Sequence, residues 1–247
     1  MKLIMMIWLE IKKEISTTWS YKYQWIGELM SLVVFYFFLS NLSNKLEIAI
    51  LGYCLWFYSM LIVGDISGKI STELKLGTFE QVYLSTFSIF TLLSAKITAS
   101  IAKSVLLVSC LLLFLAIEKH LNFENSFIPL FLISVALVTP GLFGISFLLG
   151  GITLNFREAG WLLNIFNNSM LFLSGAFLSM RTFPEWIQKV SVILPTTQVI
   201  EILNTENRSY QDFSRLIIFS MFYLLLGCTI FRLCNNKAKS RGILSHY

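Results

Sequence analysis

Six long apolar runs constrain the fold of this chain more than any other feature of its sequence. A helix needs about 20 mostly apolar residues to cross the hydrocarbon core of a bilayer. Of the 247 residues, 56% are hydrophobic and 13% are charged, which is too little charge to cover the surface of a soluble domain. The sequence therefore predicts an all-α polytopic membrane protein that forms a single transmembrane domain, residues 1–247. Its six transmembrane helices are predicted at residues 25–42, 48–66, 97–117, 127–154, 161–180 and 216–233.

The basic residues indicate how these helices are oriented. An even number of spans puts both termini on the same side of the membrane. With the termini inside, thirteen of the 19 Lys and Arg residues are cytoplasmic and six are outside, as the positive-inside rule requires. We therefore expect a multi-pass protein of the cell membrane with cytoplasmic termini. Its net charge of +5 fits contact with anionic membrane lipids rather than with nucleic acid.

The N-terminal segment, residues 1–22, predicts an interfacial helix. Lys12 and Lys13 follow its apolar stretch, and no small-residue cleavage site is present, so we expect an interfacial helix rather than a signal peptide. A stripe of apolar residues at helical spacing is typical of a helix that lies in the headgroup plane. The stripe consists of Ile4, Trp8, Ile11, Ile15 and Trp19.

A polar segment, residues 67–88, separates the second and third apolar runs and has the features of a short docked helix. Gly77 interrupts the preceding helix, Thr78 can cap a new one, and Gln81 three residues later completes a capping box. The pattern predicts a helix that begins at Phe79.

On that helix, Phe79, Val82 and Tyr83 share one face, and Glu80 points away from it. Such a face can pack against a second protein. The alternative interpretation is an ordinary surface turn between two membrane spans.

The fifth apolar run contains several amide and hydroxyl side chains. Asn164 and Asn168 lie on one face of the predicted helix, and Asn167 and Ser174 are close to them in sequence. Because hydrocarbon does not solvate these groups, they should face other helices or a cavity. We expect either helix packing or dimer contacts, or the lining of a transport path.

The segment between the last two runs predicts a helical hairpin on the outer side, residues 181–210. Pro184 can open a helix whose apolar face includes Trp186, and Pro195 ends that helix. A threonine directly after Pro195 can cap a second short helix. Two such helices suggest a re-entrant hairpin that dips into the outer leaflet.

No catalytic or metal-binding pattern occurs in the sequence. Its four cysteines include no Cys-x-x-Cys pair, and it has only two histidines. Glu28 and Asp65 lie at the ends of predicted spans, which argues against a proton relay at mid-depth. Lys96 and Lys103 lie near the cytoplasmic end of the third run, where we expect them to snorkel to the interface. If the protein moves a substrate uphill, its energy source is expected on another chain.

Two stretches of the sequence resemble the membrane subunits of type 2 ABC exporters. Residues 73–86, ELKLGTFEQVYLST, are similar to the coupling segment of that family, with Phe79 in place of the usual leucine and Thr86 in place of the usual proline. Residues 174–177, SGAF, followed by PEW at 184–186 and LP at 194–195, are similar to its fifth span and outer hairpin. The resemblance extends over nearly the whole chain.

The resemblance implies a permease that forms a homodimer, or a heterodimer with a paralogous permease, and that binds two separate ABC ATPase subunits. The chain itself would be no enzyme and bind no cofactor, because ATP and magnesium would be held by the ATPase. It implies a coupling site that packs through Phe79, Val82 and Tyr83 and makes polar contacts through Glu73 and Glu80. The implied site residues are Glu73, Gly77, Thr78, Phe79, Glu80, Gln81, Val82 and Tyr83 for coupling, Asn164, Asn167, Asn168, Ser174 and Gly175 for the path or dimer interface, and Pro184, Trp186 and Pro195 for the hairpin.

The expected substrate is a hydrophobic or amphipathic molecule, such as a drug, an antimicrobial peptide or a lipid, with a glycolipid as the next candidate. An ion-coupled secondary transporter or channel is the alternative function, and it should have ionisable residues at mid-depth or two similar halves. A membrane enzyme or assembly factor would need a catalytic constellation that the sequence lacks.

Overall fold

The computed structural model describes residues 2–21, 23, 26–31, 33–34, 37, 46–84, 87–117, 127–156, 160–175, 183–205 and 209–240. Every regular element in these residues is a helix. The helices are α1 (Lys2–Ser20), α2 (Leu46–Lys75), α3 (Phe79–Leu84), α4 (Ile89–Ile117), α5 (Phe127–Phe156), α6 (Gly160–Leu173), α7 (Glu185–Ser191), α8 (Pro195–Asn204) and α9 (Tyr210–Ser240). Residues 26–31 and 33–34 are also helical.

Four of these helices are long and apolar enough to cross a membrane, which confirms an all-helical membrane protein. The candidate spans are Ile48–Lys75 in α2, Ile89–Cys110 in α4, Ile128–Phe156 in α5 and Tyr210–Ser240 in α9. Half of the predicted span at 25–42 lies outside the described residues.

The predicted span at 161–180 is not one continuous helix. Its helix, α6, has 14 residues and ends at Leu173, where the expected length was about 20 residues. Gly175, just past this end, has φ +77°, the left-handed conformation in which helices commonly stop. Residues 176–180 lie outside the described residues. Residues 181 and 182, the first two of the predicted hairpin, also lie outside them.

Helix α2 is longer than the apolar run that predicts it. Its 30 residues correspond to about 45 Å at a rise of about 1.5 Å per residue, whereas the hydrocarbon core is about 30 Å thick. The helix therefore continues past residue 66 to Lys75. The first part of the polar segment, residues 67–88, is thus a helical extension of α2 rather than a separate element.

Helix α2 occupies the centre of the bundle, where it packs against α4, α5, α6 and α8. Polar side chains link it to α5 at two levels. Tyr58 and Thr139 share a hydrogen bond between their hydroxyls at 2.7 Å, and Ser67 and Thr153 share one at 2.5 Å. These bonds satisfy hydroxyl groups that the apolar interior cannot solvate.

The most extensive helix contact joins α5 and α9. Glycines allow their backbones to touch: a Cβ atom at Gly144 would overlap the backbone of Tyr223, and one at Gly227 would overlap the carbonyl group of Gly144. One turn before Gly144, a Cβ atom at Gly141 would lie 3.0 Å from the Cα of Ser220. Small residues at a helix interface permit such close approach in membrane proteins.

Aromatic rings join the start of α4 to α5 and α9. Phe90 stacks on Phe147 with 4.5 Å between ring centroids, and Phe231 meets Phe147 edge-on at 5.1 Å. The guanidinium carbon of Arg232 lies 5.6 Å from the Phe90 ring centroid, within cation–π range. The cluster fixes the beginning of α4, the helix that follows α3.

Helix α1 packs along α4 and leaves three of the five residues of its predicted apolar stripe exposed. Trp8, Ile15 and Trp19 are exposed, and Trp19 retains 82% of its accessible surface. Ile11 is half-buried, and the side chain of Ile4 lies outside the described residues. An exposed stripe of this kind is what an interfacial helix offers to the acyl–headgroup boundary.

Candidate functional site

The turn that ends α2 is built around Gly77. Gly77 has φ +68°, its amide donates to the carbonyl of Leu74 at 3.3 Å, and the amide of Thr78 donates to the carbonyl of Glu73 at 3.1 Å. These two bonds form a Schellman motif, which satisfies the last carbonyl groups of a helix. The motif reverses the chain directly before α3.

The capping box predicted at the start of α3 does not form, although α3 begins at Phe79 as the sequence predicts. The amide of Gln81 donates to the backbone carbonyl of Thr78 at 3.0 Å, and the Thr78 hydroxyl points back to the carbonyl of Glu73 at 3.5 Å. Because the Schellman motif already uses the Thr78 amide, the side chain of Gln81 has no donor to cap.

Replacing Gly77 with alanine is expected to lower the free energy of unfolding by about 1–2 kcal/mol, the cost of left-handed backbone for a residue with a Cβ atom. Gly68→Ala is the matched control, because Gly68 lies within α2 and a Cβ atom there meets nothing within 4 Å. That control should be neutral or stabilising by up to about 1 kcal/mol. Denaturant titration of both variants in detergent measures the difference, and equal stabilities would contradict the role given to Gly77.

Helix α3 turns Phe79 inward. Phe79 is 2% exposed and belongs to the main hydrophobic core, and Val82 packs against that core. The side chains of Glu80 and Tyr83 lie outside the described residues. Phe79 and Val82 therefore pack inside this chain, whereas the sequence analysis assigned their packing contacts to a partner.

The outward face of this segment presents different residues. Leu76 is 69% exposed, Leu84 is 84% exposed, and Gln81 is exposed between them. The sequence analysis did not select Leu76 or Leu84. The spacing of Leu84 could have indicated its exposure. Leu84 lies five positions after Phe79, so at about 100° per residue it is about 140° around the helix from that buried side chain.

Beside α3, the ends of α2 and α4 are joined by charged and polar side chains. On each helix these side chains recur at intervals of four residues, so they lie along one face. They are Asp65, Lys69 and Glu73 on α2 and Lys96 and Ser100 on α4, and we call these five residues the ionic seam.

Lys69 is at the centre of the ionic seam. Its ammonium lies 2.8 Å from Asp65 Oδ1, and it donates to Ser100 Oγ at 3.0 Å and to the backbone carbonyl of Lys96 at 3.2 Å. The Ser100 hydroxyl donates in turn to Asp65 Oδ1 at 2.7 Å. Glu14 of α1 lies 4.0 Å from the Lys69 ammonium, which brings a third helix to the seam.

The other pairs use the two lysines of α4. Lys96 forms an ion pair with Glu73, and Lys103 lies 3.5 Å from Glu28. Acidic side chains of this chain are therefore close enough to bind both ammonium groups, and the predicted snorkelling of Lys96 and Lys103 did not include these partners. Glu73, implied as a contact to a partner, is bound inside the chain.

Asp65 and Lys69 are 11% and 25% exposed in their side chains, and Glu73 and Lys96 are 19% and 12% exposed. Removing one partner of a buried ion pair costs about 3–5 kcal/mol, whereas replacing both by apolar groups is often neutral. Stability alone therefore does not account for charges at this position.

The three asparagines of α6 occupy two different environments. Asn167 is buried, and its backbone carbonyl accepts a hydrogen bond of 2.9 Å from the Trp56 indole of α2. Asn164 and Asn168 are both exposed in the isolated chain. Ser174, which follows the helix, is buried.

The two short helices α7 and α8 lie within the predicted hairpin, but their boundary differs from the prediction. Helix α7 begins after Pro184 and already ends at Ser191, and Pro195 begins α8 rather than ending α7. Proline suits the first helical position because its φ is fixed and no amide is needed there. Trp186 on α7 is exposed.

The predicted threonine cap of α8 is absent. Leu194 occupies the N-cap position without a side-chain cap, and Thr197 lies inside α8, where its hydroxyl donates to the carbonyl of Leu173 at 2.9 Å. Helix α8 is almost wholly buried against α5, α9 and α2. It is thus inserted between the helices of the bundle.

Residues 2–207 match the family model described as ABC-2 type transporter. The chain belongs to the ABC-2 type transporter family. No curated protein matches it. The matched range begins in α1 and extends beyond α8, so it includes α3, the ionic seam and both short helices.

Membership makes this ABC-2 chain the membrane permease component of an ABC transporter, a class that normally pairs with an ABC ATPase subunit. Helix α9 lies beyond the matched range, although its packing on α5 is the most extensive in the structure. In the part of this ABC-2 permease that the structure describes, no three His, Cys, Asp or Glu side chains are grouped as metal ligands.

Proposed function

We propose that this ABC-2 permease is the transmembrane subunit of an exporter driven by ATP hydrolysis on a separate chain, and that α3 is its coupling helix. The observation that carries the proposal is the position of α3. It joins α2 to α4 and is anchored by Phe79, while Leu76 and Leu84 face outward. A helix held in this way moves as a rigid body with the two membrane helices that it connects.

The outward face supports docking to an ATPase. Leu76, Gln81 and Leu84 give this face two large apolar side chains and an amide group, which suits the centre of an interface better than a solvated turn. We assign the partner contacts to these residues and the internal anchoring to Phe79 and Val82. Glu80 and Tyr83 stay candidates for the same interface.

In this proposal α3 and the termini face the cytoplasm, where ATP is available. Helix α1 lies in the inner interface with Trp8, Ile15 and Trp19 towards the acyl chains, and α7 and α8 face the outer leaflet. Export of a hydrophobic or amphipathic molecule, such as a drug, an antimicrobial peptide or a lipid, suits a bundle whose outward surfaces are apolar.

Asn164 and Asn168 support a dimeric permease. Both amides are exposed on α6, and hydrocarbon does not satisfy their hydrogen bonds. A second copy or a paralogous permease, or a polar path between the two, would supply the missing partners.

The decisive experiment is reconstitution of the chain in lipid nanodiscs with a candidate ABC ATPase that has an intact phosphate-binding loop. We expect the two chains to co-purify, and ATP hydrolysis by the ATPase to change when the permease is present. Fluorescent amphipathic dyes and cationic peptides, tested in proteoliposomes, would identify the substrate class. Ion-driven transport without any ATPase would instead support the alternative, a secondary transporter or channel.

A further inference from the structure

We propose that the ionic seam sets the register between α2 and α4 and thereby positions the coupling helix between them. The proposal rests on the proposed function, because α3 has to transmit motion for its position to matter. It assigns Asp65, Lys69, Glu73 and Lys96 as positioning residues rather than as residues that contact substrate or ATPase.

The pairing pattern defines the register. Glu73 of α2 pairs with Lys96 of α4, and Lys69 binds Ser100 and the Lys96 carbonyl. Residues nearer to the connecting turn pair with each other, so the two helices run antiparallel, with position 73 opposite 96 and 69 opposite 100.

Sliding α4 by one helical turn, about 5.4 Å, breaks this pattern in either direction. In one direction Lys69 comes to lie opposite Lys96, so that two ammonium groups face each other. In the other direction Glu73 lies opposite Ser100 and loses its pairing with Lys96. Of these three registers, the observed one is the register that pairs the Glu73 carboxylate with the Lys96 ammonium.

Register matters here because the connection is short. Only residues 76–88 separate α2 from α4, and six of them form α3. A shift of one turn between the two long helices would tilt or unfold α3 and move Leu84 away from a docked partner. Glu14 extends the same control to α1 through its contact with Lys69.

Apolar side chains would hold the helices together but select the register less strongly, because hydrophobic burial is non-directional. Charged groups discriminate, because a wrong pairing leaves them unpaired or repelling each other. This gives the charged side chains of the seam a role at a position where hydrophobic packing would be sufficient for stability.

The first test measures register in the permease alone. Spin labels are attached to cysteines introduced at Thr72 of α2 and Ser109 of α4, both exposed. The background lacks the four native cysteines. Pulsed electron paramagnetic resonance measures the distance between the two labels. The test variant combines Asp65→Leu, Lys69→Met, Glu73→Met and Lys96→Met. Wild type should give one distance, and the variant a second distance shifted by up to about 5 Å, one helical turn.

The matched control is Glu185→Met with Lys189→Met, an exposed acid and base four residues apart on α7, which should leave the distance unchanged. Lys96→Arg, which keeps the charge, should also give one distance. If the fourfold variant does not fold, Glu73→Met with Lys96→Met takes its place. An unchanged single distance in the apolar variant that folds would overturn the proposal.

The second test uses the complex with the ATPase. In the fourfold variant, we expect the amount of substrate transported per ATP hydrolysed to fall about tenfold relative to wild type, a typical magnitude of coupling between sites. ATP hydrolysis itself should continue. An unchanged ratio would overturn the positioning role. If wild type binds no ATPase, the proposed function fails, and the spin-label distances still decide whether the seam sets the register.

Discussion

Replacing Gly144 with alanine is expected to lower the free energy of unfolding by about 3 kcal/mol, at the upper end of the usual cost of overpacking. The added Cβ atom would overlap the carbonyl group of Tyr223 and lie next to the Cα of Leu224. These are backbone atoms, so no side-chain rotation can make room, and α9 would have to move away from α5. Gly227→Ala should have a similar effect, because its Cβ atom would overlap the carbonyl of Gly144.

The control for this prediction is Gly64→Ala in α2, where a Cβ atom meets nothing within 4 Å. It should be neutral or slightly stabilising, because alanine loses less backbone entropy than glycine in a helix. Unfolding by denaturant in detergent, followed by tryptophan fluorescence, gives the stabilities of the three variants and of the wild type. Wild-type stability in Gly144→Ala and Gly227→Ala would mean that α5 and α9 are not in backbone contact.

Replacing Phe79 with alanine is expected to lower the free energy of unfolding by about 3–5 kcal/mol, the usual cost of removing a buried aromatic side chain. Phe79 is 2% exposed and packs in the main core, whereas Leu84 is 84% exposed. Leu84→Ser should therefore change stability by no more than about 0.5 kcal/mol. Instead, it should weaken binding to the ATPase about tenfold, which corresponds to about 1.4 kcal/mol at an interface.

Stability of the permease alone and its affinity for the ATPase are measured on both variants to separate the two roles. Gln81→Ala, on the same exposed face as Leu84, should behave like Leu84→Ser with a smaller effect. Normal stability in Phe79→Ala together with lost ATPase binding would show that Phe79 faces the partner, as its position in the family segment first implied.

Local patterns in the sequence predicted the elements well. The apolar runs predicted α2, α4, α5 and α9, because burial in a membrane depends on the side chains of one helix at a time. The start of α3 at Phe79 also followed from local signals, since Gly77 ends a helix through its own backbone conformation. The predicted capping box failed because the amide of Thr78 was already bound by the carbonyl of Glu73, a competition that the spacing of Thr78 and Gln81 does not reveal.

Partners distant in sequence were not predictable in the same way. Nothing in the spacing of Glu73 and Lys96 indicates that they meet, and both were assigned to the surroundings, one to another protein and the other to the headgroups. The close contact of Gly144 with Gly227 likewise depends on how α9 crosses α5. Pro195 was assigned to the wrong end of a helix, because a proline is compatible both with stopping one helix and with starting the next.

The sequence by itself determined that this chain is a helical membrane protein, that a short helix begins at Phe79 and that the chain resembles ABC permeases. Hydrophobic run length, glycine conformation and family pattern are properties of contiguous residues. Only the tertiary structure decided which face of α3 is buried, that Glu73 binds Lys96, and that Leu76 and Leu84 face outward. The direction in which a side chain points depends on the helices packed around it. Glu73 and Lys96 are 23 positions apart in the sequence, and they meet only after α2 and α4 have come together.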